Sequence, residues 1–278
     1  MGEVLGGLLA LGDVARCLLL DYCSAGTGGP DFQLGEDQLA WLKTELDTAK
    51  ADHETPVLFI HGYPADLRAE GEAERLTSQI ADGGVALVEM GHTHYNEPGS
   101  DGATFYAATR STGQIDEGPV GYSVSTLDRG VVSWRFRPLD DPFPFVMITH
   151  PADHRLLRGE AQRLGEGGEL AGRVFGREAV DRVQYQVEDG EWLPTTRVGD
   201  GPNWRARLDA CTGRLVELSV RAFTTSGRPG IHMIRVAGPD HVSVERQARG
   251  SDALAIGAWP ENGIFGTQLG PNRNGRKW

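Results

Sequence analysis

The sequence predicts an α/β layered sandwich followed by an all-β sandwich. Three observations carry that prediction. Between residues 16 and 90, segments of helical period alternate with short, mainly apolar strands, the mark of a layered α/β unit. From about residue 103 only strand patterns follow, many with strict alternation of apolar and polar residues. Glycine is abundant, at 38 of 278 residues, which favours turns and short strands over a helical bundle.

The elements follow in chain order. Arg16-Cys-Leu-Leu-Leu-Asp21 reads as a buried strand ending in an acidic residue. After a Gly/Ser/Pro-rich loop (24–30), Leu39, Leu42, Leu46 and Ala49 recur at helical spacing. Glu36 and Asp37 stand before them and Lys50 after, which suits the helix dipole and predicts a helix over 36–50. Pro56-Val-Leu-Phe-Ile60 is a short buried strand running into His61-Gly62-Tyr63-Pro64. Ala73, Leu76 and Ile80 mark a second helix, ended by Gly83-Gly84. Val85 to Met90 is the next strand, and it runs into Gly91-His92-Thr93-His94. Phe105–Thr109, Tyr122–Leu127 and the alternating Val132, Trp134 and Phe136 predict three more strands. Pro138 to Pro144 reads as a linker. Beyond it, Val183, Tyr185 and Val187, then Asp189-Gly190, then Trp204, Ala206 and Leu208, then Val216, Leu218, Val220 and Ala222 predict a β-sandwich. Three regions result: 1–140, 146–238 and a Gly/Asn/Pro-rich tail, 239–278.

Charge narrows the function. Lys plus Arg is 27 and Asp plus Glu is 39, a net charge of −12. That disfavours nucleic acid and anionic lipid as partners, so an anionic substrate would need a local positive feature such as a metal. No apolar run reaches membrane-spanning length. Met1–Leu20 lacks a basic start and carries Glu3, Asp13 and Arg16, so it is a poor signal peptide, and the cytoplasm is the default expectation. Cys17, Cys23 and Cys211 are too few and too scattered for a disulfide framework or a cysteine zinc site.

Three of the eight histidines stand at the ends of apolar strands: His61, His92 and His94. The carboxyl end of a strand in an α/β sheet is where ligands gather. His92 and His94 are one residue apart, and Gly91 before them is expected to free the backbone to turn. Neutral imidazole is a common ligand of Zn, Fe and Mn. His53 reads as solvated and His232 and His241 as structural, while His150 and His154 flank the domain boundary. Trp192 and Trp204 read as core or edge aromatics rather than sugar platforms, and Arg205 and Arg207 as a solvated strand face.

Leu34-Gly-Glu-Asp-Gln-Leu-Ala-Trp-Leu42, Val57-Leu-Phe-Ile-His61-Gly-Tyr-Pro64, Met90-Gly-His-Thr-His94 and Ser111-Thr-Gly113, in this order and spacing, resemble the calcineurin-like metallophosphoesterases. The likeness is to their cyclic-nucleotide phosphodiesterase and purple-acid-phosphatase-like branch, over roughly residues 12 to 137. It implies part of an αββα domain with a dinuclear metal centre (Fe, Mn or Zn) at the edge of two packed sheets. His61 and His92 would bind one metal and His94 the other. In two-metal phosphoester hydrolysis, cations roughly 3.5–4 Å apart clamp phosphate oxygens, and a metal-bound hydroxide attacks. The run Val-x-Tyr-x-Val, Asp-Gly-x-Trp and Trp-x-Ala-x-Leu in 183–208 resembles an immunoglobulin-like domain, a scaffold that hosts many roles.

The chain departs from the phosphoesterase pattern. It has no Asp-x-His ahead of His61 and no Asn-His dipeptide, and Asp13 reads as a turn residue rather than the bridging ligand. The expectation is therefore a metal-dependent phosphoesterase, acting on a small phosphomonoester or phosphodiester, that is incomplete in this chain. The missing N-terminal half would be lost through a truncated gene model, supplied by a separate chain, or absent from a remnant. The competing reading is a non-catalytic binding protein with a vestigial half-domain and a recognition sandwich. A half-domain would expose one sheet face, which predicts self-association. The tail segment from Gly257 to Trp278 either folds back over the site, where its Asn and Arg residues would touch substrate, or is peripheral or disordered.

Overall fold

The computed structural model describes residues 7–11, 14–22, 32–113, 118–159, 162–164, 168–242 and 254–265. The fold is β-rich, with its strands in several sheets. Two compact units divide the chain. The first holds residues 1–123, 136–139 and 246–278, the second 124–135 and 140–245.

The strands of the first unit are β1 (Gly7–Leu11), β2 (Ala15–Leu19), β3 (Thr55–Phe59), β4 (Leu87–Met90), β5 (Glu97–Ser100) and β6 (Phe105–Ala108). They form one six-stranded sheet in the order β1-β2-β3-β4-β6-β5. The inner strands β2, β3, β4 and β6 run parallel, while β1 and β5 pair antiparallel at the two edges. Helix α1 (Gly35–Ala51) joins β2 to β3, and α2 (Glu72–Asp82) joins β3 to β4. Parallel neighbours require such crossovers. Both helices contribute to one core with the same sheet face: Leu18, Leu58 and Val88 pack with Leu39, Leu42, Leu76 and Ile80, all fully buried. On the opposite face Phe105 and Ala107 are fully buried, but Leu9, Leu19 and Phe59 are 56%, 44% and 39% exposed.

No side chain of its own caps α1. Glu72, at the start of α2, does so instead: its buried carboxylate accepts the backbone N–H groups of Leu34 and Gly35 at 2.9 and 2.7 Å. This meets two of the unpaired donors of the helix start and places negative charge at the positive end of its dipole.

Two edge strands are silent in the sequence. β1 is a bare apolar stretch, and β5 contains Pro98. Proline is tolerated there because an edge strand can spare an N–H.

β7 (Gly121–Asp128) and β8 (Val131–Pro138) form a hairpin whose two-residue turn, Arg129-Gly130, is left-handed at both positions (φ 51° and 80°). The base of this hairpin belongs to the first unit and its tip to the second. The division therefore runs through the hairpin as well as within the 138–144 segment. It also assigns the described part of the tail, residues 254–265, to the first unit.

The second unit contains β9 (Phe145–His150), β10 (Gly168–Phe175), β11 (Val180–Val187), β12 (Leu193–Pro194), β13 (Thr196–Arg197), β14 (Asn203–Leu208), β15 (Leu215–Thr224) and β16 (Pro229–Ala237). They make two antiparallel four-stranded sheets, β13-β14-β10-β9 and β12-β11-β15-β16. The alternating residues of the sequence point inward: Val183, Tyr185, Trp204, Leu208, Val216, Leu218, Val220 and Ala222 are buried. His232 of β16 crosses to the other sheet, where its Nδ1 accepts the N–H of Ile148 at 3.0 Å. Among the described residues, no helix is long and apolar enough to cross a membrane.

Candidate functional site

The parallel strands of the first unit all end at one edge of their sheet. Asp21 and Tyr22 follow β2, His61 follows β3, His92 and His94 follow β4, and Arg110 follows β6. This is the carboxyl edge, where chain segments leave the sheet in turn and side chains can converge. The β3–β4 ladder continues one step into the loops: the N–H of Ile60 reaches the carbonyl of Glu89 at 3.1 Å, and that of Gly91 reaches the carbonyl of His61 at 3.0 Å. His61 is thereby held beside the start of the Gly-His-Thr-His segment.

The three predicted residues meet at this edge. The rings of His61 and His92 are 5.1 Å apart in an edge-on arrangement. Burial holds the His61 imidazole below its ordinary range, and the charge of His94 adds to this. Burial lowers His92 as well, with further contributions from His61 and His94. Burial and the neighbouring imidazoles thus disfavour protonation of His61 and His92. His61 and His92 remain neutral at pH 7, the state in which imidazole donates a lone pair to a metal.

The loop geometry corrects the expected role of Gly91. No left-handed angle falls on that residue, and a Cβ there would come no nearer than 3.9 Å to other atoms. The turn is made by the histidines themselves, with φ of 66° at His92 and 65° at His94. Such conformations are uncommon for residues with a side chain and cost about 1–3 kcal/mol each. Thr93 between them is buried, and its N–H closes a tight turn on the carbonyl of Gly91 at 2.8 Å.

Aromatic residues that the sequence did not single out back this edge. Phe32 meets His92 edge-on at 4.9 Å, Tyr22 lies 5.4 Å from Phe32, and the guanidinium of Arg68 sits over Phe32 at 5.3 Å. No motif announces them: Tyr22 and Phe32 stand ten residues apart in the connection from β2 to α1, and Arg68 comes from the connection between β3 and α2. Asn96 and Arg110 were also missed. Asn96 Oδ1 accepts the backbone N–H of Arg110 at 3.0 Å, which ties the histidine loop to the end of β6.

The donors are right for Zn, Fe or Mn in kind but not in number. Among the described residues, no group of three or more His, Cys, Asp or Glu side chains is placed to hold a metal ion. A dinuclear centre also needs a bridging carboxylate, and Asp13 lies outside the described residues. The described residues therefore do not fit a complete two-metal site. Elsewhere, Trp204 is buried in the second unit, and Trp192 carries the guanidinium of Arg221 at 4.0 Å. Arg205 pairs with Glu169 at 3.1 Å on an exposed strand face.

No family model matches the chain, and no curated protein does. Among solved structures it is similar to an endo-beta-1,4-mannanase from Thermotoga petrophila, at 13% identity and a TM-score of 0.29, over 80% of this chain and 46% of that one. It is also similar to an engineered protein, at 16% identity and a TM-score of 0.28, over 73% of this chain and 46% of the other. The chain spans less than half the length of each.

Proposed function

We propose that the first unit is part of a calcineurin-like αββα domain and that its histidine edge is the metal-binding part of a phosphoesterase. The second unit is the accompanying immunoglobulin-like sandwich. The substrate class is a small phosphomonoester or phosphodiester. One observation carries the reading: two separate strand ends bring His61, His92 and His94 to the carboxyl edge of a parallel sheet, where His61 and His92 are held neutral. His92 and His94 sit in costly left-handed conformations, and strain of that kind gathers at functional sites. Resident Fe, Mn or Zn would supply polarisation of the phosphate and an activated water at neutral pH. The described residues contribute three imidazoles. The remaining donors would have to come from outside the described residues.

A second reading is favoured by the incomplete donor set. In it the chain is a non-catalytic binding protein, the histidine edge is vestigial, and the sandwich recognises a partner. Elemental mass spectrometry on full-length protein, purified without chelator or histidine tag, separates the two. The phosphoesterase reading expects bound metal that His92→Ala removes, together with hydrolysis of bis(p-nitrophenyl) phosphate that the same variant abolishes. No metal, no uptake of added Mn or Zn and no hydrolysis would leave the binding-protein reading standing.

A further inference from the structure

The tail contains a built structure that its composition hides. Residues 254–265 lie on the first unit. Leu254 and Ala255 pack against its core, and Ala255 bridges Gly99 on the outer edge of β5. The N–H of Ser100 reaches the carbonyl of Leu254 at 2.7 Å, and that of Ile256 reaches the carbonyl of Pro98 at 3.3 Å. Trp259 and Ile264 then exchange two backbone hydrogen bonds, at 2.7 and 3.1 Å, around the turn Pro260–Asn262. Trp259, Asn262 and Ile264 are all buried.

The carbonyl of Gly263 is the junction between this segment and the histidine loop. It accepts hydrogen bonds from Asn96 Nδ2 at 3.1 Å and from the Arg110 guanidinium. Asn96 and Arg110 are themselves buried and joined to each other. The guanidinium also donates to the carbonyl of Pro119 at 3.2 Å and lies over the rings of Phe136 and Phe265 at 4.6 and 5.7 Å. Gly263 must be glycine: its φ is 66°, and a Cβ would lie 2.9 Å from Phe136, 3.0 Å from Asn96 and 3.3 Å from Arg110.

Asn96 stands two residues beyond His94. The loop is therefore pinned at its start by the bond of Gly91 to His61 and at its end by Asn96. Between those pins stand the two left-handed histidines, a geometry that persists only where its surroundings over-determine it. We infer that residues 254–265 are a positioning strap, and that Gly263, acting through Asn96 and Arg110, fixes the orientation of the His92 and His94 rings. This rests on the reading of those histidines as site residues. The strap acts through the loop and not on a reacting atom, so Asn96, Arg110 and Gly263 are positioning residues.

The test uses the full chain and two variants. Asn96→Asp keeps the acceptor for the Arg110 N–H but loses the donor to Gly263, and Gly263→Val crowds the junction. Hydrogen exchange across 254–265 reports the strap. Imidazole nitrogen–proton correlation spectra at one fixed pH report the rings. The expected result is faster exchange in the strap, with shifted His92 and His94 signals and unmoved His53 and His232 signals. Faster exchange with His92 and His94 unmoved would reduce the strap to a stabilising contact and overturn the inference. Unchanged exchange in both variants would show that the junction does not hold the strap, and would overturn it equally. If neither variant folds, Arg110→Lys makes the same comparison with a milder change. Metal uptake and hydrolysis play no part in the readout, so failure of the phosphoesterase reading is distinguishable from failure of the strap.

Discussion

His232 shows how one buried ring can set the pH range of a unit. Its Nδ1 accepts the N–H of Ile148, so the ring must be neutral to fit. Burial pushes its pKa well below the ordinary histidine value, and the positive charge of Arg135 adds to that. The unfolded chain takes up a proton near pH 6.5 while the folded one does not, so this contribution is complete above that pH and is lost as pH falls. One such group costs about 1 kcal/mol of stability between pH 6.5 and 5.5. Urea melts of the protein at the two pH values should show that loss in the second unit. His232→Gln should flatten the dependence, although it lowers stability at pH 7. The sequence placed His232 as structural and was silent on its charge state, because burial from two sheets cannot be read from neighbours in the chain.

At the scale of elements, the two helices depend on each other. Glu72 belongs to α2 but completes the start of α1. Glu72→Ala should lower stability by about 2–3 kcal/mol, since the buried N–H of Leu34 and the partly buried N–H of Gly35 lose a charged acceptor. Leu42→Ala, at a fully buried position of α1, should cost about 2–5 kcal/mol by leaving a cavity. Thermal unfolding followed by circular dichroism checks both. The position of α1 was legible because its apolar residues keep helical spacing. The cap was not, because Glu72 lies 38 residues from Leu34. β5 was missed for a related reason: Glu-Pro-Gly-Ser has no strand character of its own, and becomes a strand through pairing with β6 on one side and contact with residue 255 on the other.

At the scale of the whole molecule, the uneven cover of the first unit's sheet carries the clearest consequence. Leu9, Leu19 and Phe59 share the face turned away from the helices, and all are exposed. An apolar patch on an open sheet promotes association. Light scattering should show an apparent mass rising with concentration, and the double variant Leu19→Lys, Phe59→Lys should suppress the rise. An unchanged rise in that variant would place the association elsewhere. The net charge of −12 opposes association in general, so the effect should strengthen with added salt.

The sequence by itself determined the order of the main helices and strands and the placing of His61, His92 and His94 at strand ends. Those features are written in local periodicity, which acts between residues a few positions apart. Tertiary structure alone decided that the turn falls on His92 and His94 rather than on Gly91. It alone decided that Phe32, Tyr22 and Arg68 back the site, and that part of a pattern-free tail is packed against the first unit. Asn96 and Gly263 are 167 residues apart, and Arg110 and Gly263 are 153 apart. A contact over such a distance leaves no spacing to read. It exists only once the sheet has brought the ends of its strands to a common edge.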